Sequence, residues 1–237
     1  QKIMEHFKRN TEVEVSLVLT NNADAYVLQR ADSFEIPSHV FDKQEFYKTD
    51  NIIDLLKNLD IDLIVLAGFL WLIPKNLIQE YPGRIVNIHP AILPKFGGKG
   101  MYGDFVHKAV MEAKELEGGI TIHYVNENYD EGEYIYQAKY KIDKGDNLEM
   151  IKFKGQQLEH LHYPRIVENL IQKIKLVWDK YHVFERNDLS GDGLVARDEL
   201  TAFMEKSGKE AEIFNDKREV HFERQIARGI APIRITN

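Results

Sequence analysis

Cysteine is absent from this chain of 237 residues, which excludes disulfides, thiolate zinc sites and cysteine nucleophiles and is compatible with a reducing compartment. Long apolar runs are also lacking, since the longest, residues 61–74, is shorter than the roughly 18 residues of a membrane span. No basic, apolar leader opens the sequence, so we expect no secretory signal. These absences together predict a cytoplasmic protein that does not associate with membranes.

Positive charge is in deficit, because 31 Lys and Arg residues face 38 Asp and Glu residues and the formal net charge is −7. This balance opposes non-specific attraction to a polyanion such as DNA or tRNA. We therefore expect small-molecule substrates and no nucleic-acid partner. The apolar fraction of 43% suffices for a core, and the length fits one large domain or a domain of about 170 residues with an appendage.

Strand-like and helix-like patterns alternate through residues 1–173. Residues 61–68 form a nearly continuous apolar run that ends in glycine, which is typical of a parallel strand buried on both faces. The alternation predicts an α/β fold with a doubly wound, mostly parallel sheet, in which ligands bind beyond the carboxyl ends of the strands. Further predicted helices cover residues 45–59, 75–81, 104–117 and 147–173, and further strands cover residues 13–19, 36–41, 84–88, 119–126 and 134–142.

Three chemically capable side chains follow predicted strands. Asn87 and His89 end one strand, and Asp130 lies in the loop between the two predicted antiparallel strands. An amide N–H beside a reacting carbonyl stabilises the oxyanion of acyl transfer by about 3–4 kcal/mol. An imidazole donates as its cation or relays protons near neutral pH, and a carboxylate holds that imidazole or takes the proton of an attacking amine. Spacing alone also allows a turn asparagine, a structural histidine and a loop carboxylate.

The sequence around these residues resembles the phosphoribosylglycinamide formyltransferase family over residues 1–173. Residues 87–94 match Asn-x-His-Pro-(Ser/Ala)-x-Leu-Pro, a specific signature of folate-dependent formyl transfer, and residues 65–69, 118–125 and 130–132 add to the likeness. The resemblance implies transfer of a formyl group from 10-formyltetrahydrofolate to the amine of glycinamide ribonucleotide in purine biosynthesis. It implies that Asn87 and His89 act at the oxyanion, and that Asp130 is a proton acceptor or an electrostatic partner.

The same resemblance implies residues for the two substrates. Glu159 would bind the ribose of the nucleotide, with a solvated helix carboxylate as the alternative. For Trp71 a core position is an equal alternative to a place in the pterin pocket. His123 is predicted to be structural, and His160 and His162 to diverge on their helix. The side chains implied to line the pterin pocket are Phe69, Leu70, Trp71 and Leu72, with the backbone near Tyr129 reading the pterin edge.

The family resemblance further implies a strand and a glycine-, serine- and asparagine-rich loop that holds the substrate phosphate ahead of the first helix. The sequence begins at Gln1, inside that helix. We therefore expect an interior strand and the phosphate loop to be missing. Losing an interior strand exposes two sheet edges and should cost more than a net stability of roughly 5–15 kcal/mol, leaving the chain unstable or inactive as written.

A separate unit is predicted from residue 177. Its acidic loop resembles an α-helical EF-hand over residues 177–206, and a charged tail follows at residues 207–237. Such a combination is expected of a fusion, a mosaic or a misassembled reading frame. No second hand is visible, which predicts a dimer through the unpaired one. The alternative function is a calcium-binding protein on a catalytically dead formyltransferase scaffold. The predicted calcium ligands, at the first, third, fifth, seventh and twelfth loop positions, are Asp188, Ser190, Asp192, Leu194 (carbonyl) and Glu199.

Overall fold

The computed structural model describes residues 1–185. The predicted calcium ligands and the tail at residues 207–237 lie outside the described residues. The helices are α1 (Lys2–Phe7), α2 (Tyr26–Ser33), α3 (Lys43–Lys48), α4 (Asn51–Asn58), α5 (Lys75–Glu80), α6 (Asp104–Glu112) and α7 (Leu148–Glu185). The strands are β1 (Val18–Thr20), β2 (Ser38–Val40), β3 (Ile64–Leu66), β4 (Ile85–His89), β5 (Glu117–Tyr124) and β6 (Tyr134–Lys141).

The described strands form two sheets. One joins β1 and β2 in parallel, and the other has the order β3-β4-β5-β6. Within the larger sheet β3 and β4 are parallel, whereas β5 is antiparallel to both β4 and β6. The α/β class and the antiparallel pairing of the last two strands are confirmed. Where the alternation predicted a single sheet, β1 pairs only with β2 and β3 only with β4 among residues 1–185.

Strand β3 is shorter and more exposed than predicted. Its three residues are all half-buried, so the expectation of a strand at residues 61–68 buried on both faces is wrong in this structure. The Ile64 N–H donates to the Arg84 carbonyl at 2.8 Å, which ties β3 to β4 on one side. Its other edge has no partner strand among the described residues, and half-burial of the strand follows from that open edge.

The predicted helix at residues 45–59 is divided into α3 and α4. Asp42 caps α3 by accepting the Glu45 N–H at 2.8 Å. The helix stops because Thr49 adopts an extended backbone, with φ −134° and ψ 167°, while its hydroxyl donates to the Glu45 carbonyl at 2.9 Å. That hydroxyl then accepts the Asn51 N–H at 3.3 Å, where α4 begins. Two hydrogen bonds between the Thr49 hydroxyl and the backbone therefore mark the break between the two helices.

The main apolar core packs α3, α4 and α5 against the sheets. Nine buried side chains form it, and Phe69 and Trp71 pack against it from the segment after β3. The nine are Phe41, Phe46, Ile52, Ile53, Leu56, Ile73, Leu77, Tyr81 and Ile85. No helix within residues 1–185 is both long and apolar enough to cross a membrane.

Helix α7 continues past Pro164, which lies inside it instead of ending it. The chain divides into two compact units, the first covering residues 1–167 and the second beginning at Glu168 within α7. In the first unit the Tyr163 hydroxyl lies 2.8 Å from the Leu66 carbonyl and 3.2 Å from the Val86 carbonyl. This contact fixes α7 against the last residue of β3 and the neighbouring part of β4, close to the strand ends where a ligand cleft is expected.

Candidate active site

The register between β4 and β5 assembles the first part of the site. Asn87 lies opposite His123, and His89 lies opposite Thr121. Directly opposed residues on antiparallel strands carry their side chains on the same face of the sheet. Asn87 and His89 therefore share one face with two polar residues of β5, at the carboxyl end of β4.

The loop between β5 and β6 brings the carboxylate. Asp130 has a positive φ of 58°, which aspartate tolerates better than most residues. A side chain at Gly132 would collide with the Tyr124 carbonyl, so only glycine lets this loop lie so close to the end of β5. The Gly98 N–H donates to Asp130 Oδ2 at 2.9 Å, which anchors the carboxylate from the other side.

Both ring nitrogens of His89 are engaged. Nε2 lies 2.8 Å from the Phe96 carbonyl, and since a carbonyl only accepts, Nε2 carries a proton. Nδ1 lies 3.4 Å from Asp130 Oδ2. Burial lowers the pKa of His89 below its usual value, although Asp130 and the Phe96 carbonyl act against this. At neutral pH the ring is therefore mostly neutral, with a bare Nδ1 facing the carboxylate.

Asp130 is held in its ionised form. Burial alone raises the pKa of its carboxyl, but the neighbouring His123 and His89 side chains and the Gly98 N–H outweigh it, so the net pKa is lowered. The carboxylate is mostly shielded, since its side chain is 11% exposed. A bare imidazole nitrogen beside an ionised carboxylate can take up a proton and stabilise it there.

His123 is the functional neighbour that the sequence did not reveal. Its Nε2 lies 3.2 Å from Asn87 Nδ2 and 3.6 Å from Asp130 Oδ1, and its Nδ1 lies 2.8 Å from the Tyr124 carbonyl. The residue was predicted to be structural, because a lone histidine on a strand carries no chemical signal. Only the β4–β5 register, which no local pattern specifies, places it between the amide and the carboxylate.

A cavity of about 760 Å³ opens onto these groups. Its walls include every residue that the family resemblance implied for catalysis and for either substrate. Burial raises the pKa of the Glu159 carboxyl, which fits a carboxylate partly withdrawn from solvent into the cavity wall. The predicted residues that line the cavity are Phe69, Leu70, Trp71, Leu72, Asn87, His89, Tyr129, Asp130 and Glu159.

The segment after β3 is partly core and partly cavity wall. Phe69 and Trp71 pack on the main core and also line the cavity, so Trp71 is both a core residue and part of the cavity wall. Leu70 is 51% exposed and free to contact a ligand. The Tyr47 hydroxyl donates to the Leu72 carbonyl at 2.9 Å, which fixes the segment. An apolar wall with a few fixed polar groups is typical of a small-molecule site.

Thr121 holds the segment that follows His89. Its hydroxyl donates to the Ala91 carbonyl at 2.7 Å and accepts the Leu93 N–H at 3.0 Å, and Gln137 Nε2 lies 2.9 Å away. Its side chain is fully buried. The pattern of β5 alone gives no sign of this role, because a threonine in a strand is ordinary.

Other histidines differ in their relation to the cavity. His107 on α6 lines it, with a buried Nδ1 that has no hydrogen-bond partner among the described residues. His160 also lines it, whereas the His162 ring packs on Tyr136 with centroids 4.9 Å apart. The predicted divergence of His160 and His162 is confirmed. Within the described part of the chain no group of three or more His, Asp or Glu residues is placed to hold a metal ion.

The fold and the site together define an α/β protein whose cleft carries the groups that acyl transfer requires. The chain belongs to the formyltransferase family, because the family model described as "Formyl transferase" matches residues 1–167. The fold of the chain is similar to that of solved relatives.

Curated relatives and solved structures agree. The chain is 39% identical over 170 residues to chloroplastic phosphoribosylglycinamide formyltransferase of Arabidopsis thaliana, covering 70% of this chain and 58% of that protein. It is 36% identical over 168 residues to phosphoribosylglycinamide formyltransferase of Bacillus subtilis, covering 69% of this chain and 84% of that protein. A crystal structure of phosphoribosylglycinamide formyltransferase from Bacillus halodurans matches with a TM-score of 0.65 at 34% identity, covering 73% of this chain and 89% of that chain.

Proposed function

We propose that this chain transfers a formyl group from 10-formyltetrahydrofolate to the amine of glycinamide ribonucleotide. The observation that carries the proposal is the convergence of Asn87, His89 and Asp130 in the wall of one cavity. The names of the similar proteins supply the acceptor, and the family resemblance implies the folate donor. The three side chains fit both, since an amide, an imidazole and a carboxylate are what amine formylation needs.

The reaction replaces one bond to the formyl carbon with another. The amine nitrogen bonds to that carbon, the bond from N10 of the folate breaks, the amine loses a proton and N10 gains one. An Asn87 N–H stabilises the negative charge that develops on the formyl oxygen. The bare Nδ1 of His89, 3.4 Å from Asp130 Oδ2, receives the proton of the amine, and the ionised carboxylate stabilises the resulting imidazolium. The imidazolium then gives that proton to N10 as the bond from N10 to the formyl carbon breaks, which returns His89 to its neutral form.

His89 takes part at the formyl oxygen only after a change of partner. Its Nε2–H is bonded to the Phe96 carbonyl at 2.8 Å, so donation to the oxyanion requires the loop at Phe96 to release it. Until then Asn87 is the donor available to the formyl oxygen, and His89 with Asp130 forms the proton-accepting pair.

The two substrates are proposed to bind at different parts of the cavity wall. Phe69, Leu70, Trp71 and Leu72, with the backbone near Tyr129, form an apolar segment suited to the flat pterin ring of the folate. Glu159 on α7 is proposed to accept hydrogen bonds from the ribose hydroxyls of the nucleotide, for which its position in the wall is the support.

The separation into two sheets bears on the phosphate site. β1 and β3 each leave one edge unpaired among the described residues, which supports the proposal that a further strand and its phosphate-binding loop belong between them. The test compares the chain as printed with a version extended at its N-terminus by a strand and a glycine-rich loop. A large fall in the KM for glycinamide ribonucleotide is expected on extension, and an unchanged KM contradicts the proposal.

The activity assay uses the full chain with 10-formyltetrahydrofolate and glycinamide ribonucleotide, and it measures formylated nucleotide and tetrahydrofolate separately. Equal amounts of the two products support the proposal. Tetrahydrofolate without formylated nucleotide would identify water as the acceptor and overturn the proposed substrate. Asn87→Ala and His89→Ala are expected to lower kcat by about 10²–10³, and near-full rates in both would refute the assigned chemistry.

We also propose a calcium site in the part of the chain outside the described residues. The support is the sequence pattern of Asp188, Ser190, Asp192, Leu194 and Glu199. Calorimetric titration of the full chain with calcium should release heat that Glu199→Ala abolishes. Absence of heat at millimolar calcium contradicts the site, and calcium-independent sedimentation contradicts a dimer through the unpaired hand.

The domain limits and the location stay proposals as well. We propose a catalytic domain at residues 1–173, an EF-hand at residues 177–206 and a charged tail at residues 207–237, in a cytoplasmic protein. The lack of cysteine supports a reducing compartment. Cell fractionation with an antibody to the chain tests the location.

A further inference from the structure

His123 is held in one tautomer. Its Nδ1 lies 2.8 Å from the Tyr124 carbonyl, and because a carbonyl oxygen only accepts, Nδ1 carries the proton. In the neutral ring Nε2 is then a lone-pair acceptor. The side chain is 3% exposed, so little of it is open to bulk water.

That acceptor determines which way the Asn87 amide faces. Asn87 Nδ2 lies 3.2 Å from His123 Nε2, so the amide donates one N–H to the imidazole. A flipped amide would put its carbonyl oxygen against the lone pair of Nε2, which is repulsive. Asn87 makes no other side-chain hydrogen bond among the described residues, so no other side chain of the described part opposes a flip.

The orientation matters because an amide has a donor end and an acceptor end. With Nδ2 toward His123, the second hydrogen of the same nitrogen remains for the formyl oxygen in the cavity that Asn87 lines. A freely rotating amide would present its oxygen part of the time and repel the developing negative charge. Preorganised donors stabilise an oxyanion best because they need no reorientation during the reaction.

The charged surroundings of His123 define the alternative state. Asp130 Oδ1 lies 3.6 Å from Nε2, and a second titratable group, His89, also borders Asp130. A proton on Nε2 would point at the carboxylate and end the acceptance from Asn87. The oriented amide therefore requires a neutral His123.

We propose that His123 is a positioning residue that aims the Asn87 amide N–H at the formyl oxygen by accepting the other N–H at Nε2. The proposal rests on the proposed formyl transfer for its kinetic consequence. The tautomer and the Asn87 bond are properties of the free protein, so they can be measured whether or not the chain turns over substrate.

The first measurement is long-range ¹H–¹⁵N NMR of the imidazoles in the full chain, with His123 assigned by its absence in His123→Gln. A protonated Nδ1 and a bare Nε2 are expected, and Asn87→Ala should shift the Nε2 resonance of His123 without changing the tautomer. A proton on Nε2 at neutral pH, or an Nε2 resonance indifferent to Asn87→Ala, overturns the proposal even in an inactive protein. Absence of turnover in the N-terminally extended version as well, with the expected spectrum, refutes the formyl-transfer assignment instead.

The second measurement is a kinetic cycle. His123→Leu should lower kcat by about tenfold and leave both KM values within about twofold, because the lost interaction acts in the transition state. His123→Gln keeps an acceptor oxygen and should recover kcat to within about threefold of the unsubstituted chain. His162→Leu, a histidine of α7 outside the cavity wall, is the matched control and should leave kcat unchanged.

The double variant separates positioning from a general structural effect. In an Asn87→Ala background the further change His123→Leu should cost less than about threefold, because the amide it orients is already gone. Independent losses that multiply in the double variant overturn the proposal. Melting temperatures of all variants are measured alongside, and if His123→Leu does not fold, His123→Gln and the NMR spectrum decide.

Discussion

Replacing Asp130 by Asn tests the proton-accepting pair, because the change removes a charge and little else. In the unsubstituted protein the Gly98 N–H donates to Asp130 Oδ2 at 2.9 Å. The Asn side chain keeps an oxygen that can accept this N–H. What disappears is the carboxylate 3.4 Å from His89 Nδ1. At this separation, with an effective dielectric constant near 20, an imidazolium and a carboxylate attract by about 5 kcal/mol.

That attraction sets an upper limit on the loss of rate in Asp130→Asn. The limit lies between about 10³-fold and 10⁴-fold, since each ~1.4 kcal/mol changes the rate tenfold. Solvation of the exposed fraction of the pair reduces it, so we expect kcat for formyl transfer to fall by about 10²–10³ in Asp130→Asn. Glu131→Gln is the matched control, because Glu131 is the exposed neighbouring carboxylate and accepts Asn128 Nδ2 at 2.8 Å.

The pH profile gives a second readout of the same variant. Burial lowers the pKa of His89, and Asp130 acts in the opposite direction. Without Asp130 the pKa of His89 should fall further, so the acid limb of kcat/KM should move to lower pH. A kcat within about threefold of the unsubstituted chain, an equal loss in Glu131→Gln, or an acid limb that moves to higher pH would refute the assigned roles.

Three further predictions concern stability and substrate binding. Thr121→Val should lower the free energy of unfolding by about 2–4 kcal/mol in chemical denaturation, because valine has the same shape as threonine but leaves the buried backbone groups bound by the hydroxyl unpaired. An unchanged denaturation midpoint contradicts this prediction. Leu70→Ala should raise the KM for 10-formyltetrahydrofolate roughly fivefold with kcat unchanged, by loss of about 1 kcal/mol of apolar contact, whereas Leu116→Ala, 79% exposed and outside the cavity wall, should not. Burial raises the pKa of Asp62 to about 9, so the folded state holds a proton that the unfolded state releases, and stability should fall as pH rises from about 4 to 9. Asp62→Asn should flatten that slope in denaturation measured across pH, and an identical slope would contradict the raised pKa.

Sequence patterns were reliable where the signal is local. The alternation of helices and strands predicted the α/β class, and the pair of strands before α7 was predicted to be antiparallel, as the register of β5 and β6 shows. Predicted boundaries failed where the periodicity of apolar residues does not reveal the contact that decides them. Thr49 splits a predicted helix through bonds to Glu45 and Asn51, and β3 is half-buried because one of its edges has no partner strand among the described residues.

The sequence by itself determined which chemical groups are present and which family holds them. Asn87, His89 and Asp130 were identifiable because the string around them is specific, and backbone close approach explains the glycine at 132. All three line one cavity, which agrees with the prediction that ligands bind beyond the carboxyl ends of the strands.

Only the tertiary structure decided how those groups are connected. Strand register pairs Asn87 with His123 and His89 with Thr121, and register depends on the burial of whole faces and not on neighbours in the chain. The partners of His89 likewise come from two distant loops, at Phe96 and Asp130. The tautomers and charges of the site follow from these long-range contacts, which is why the sequence could name the reacting groups but not their protonation.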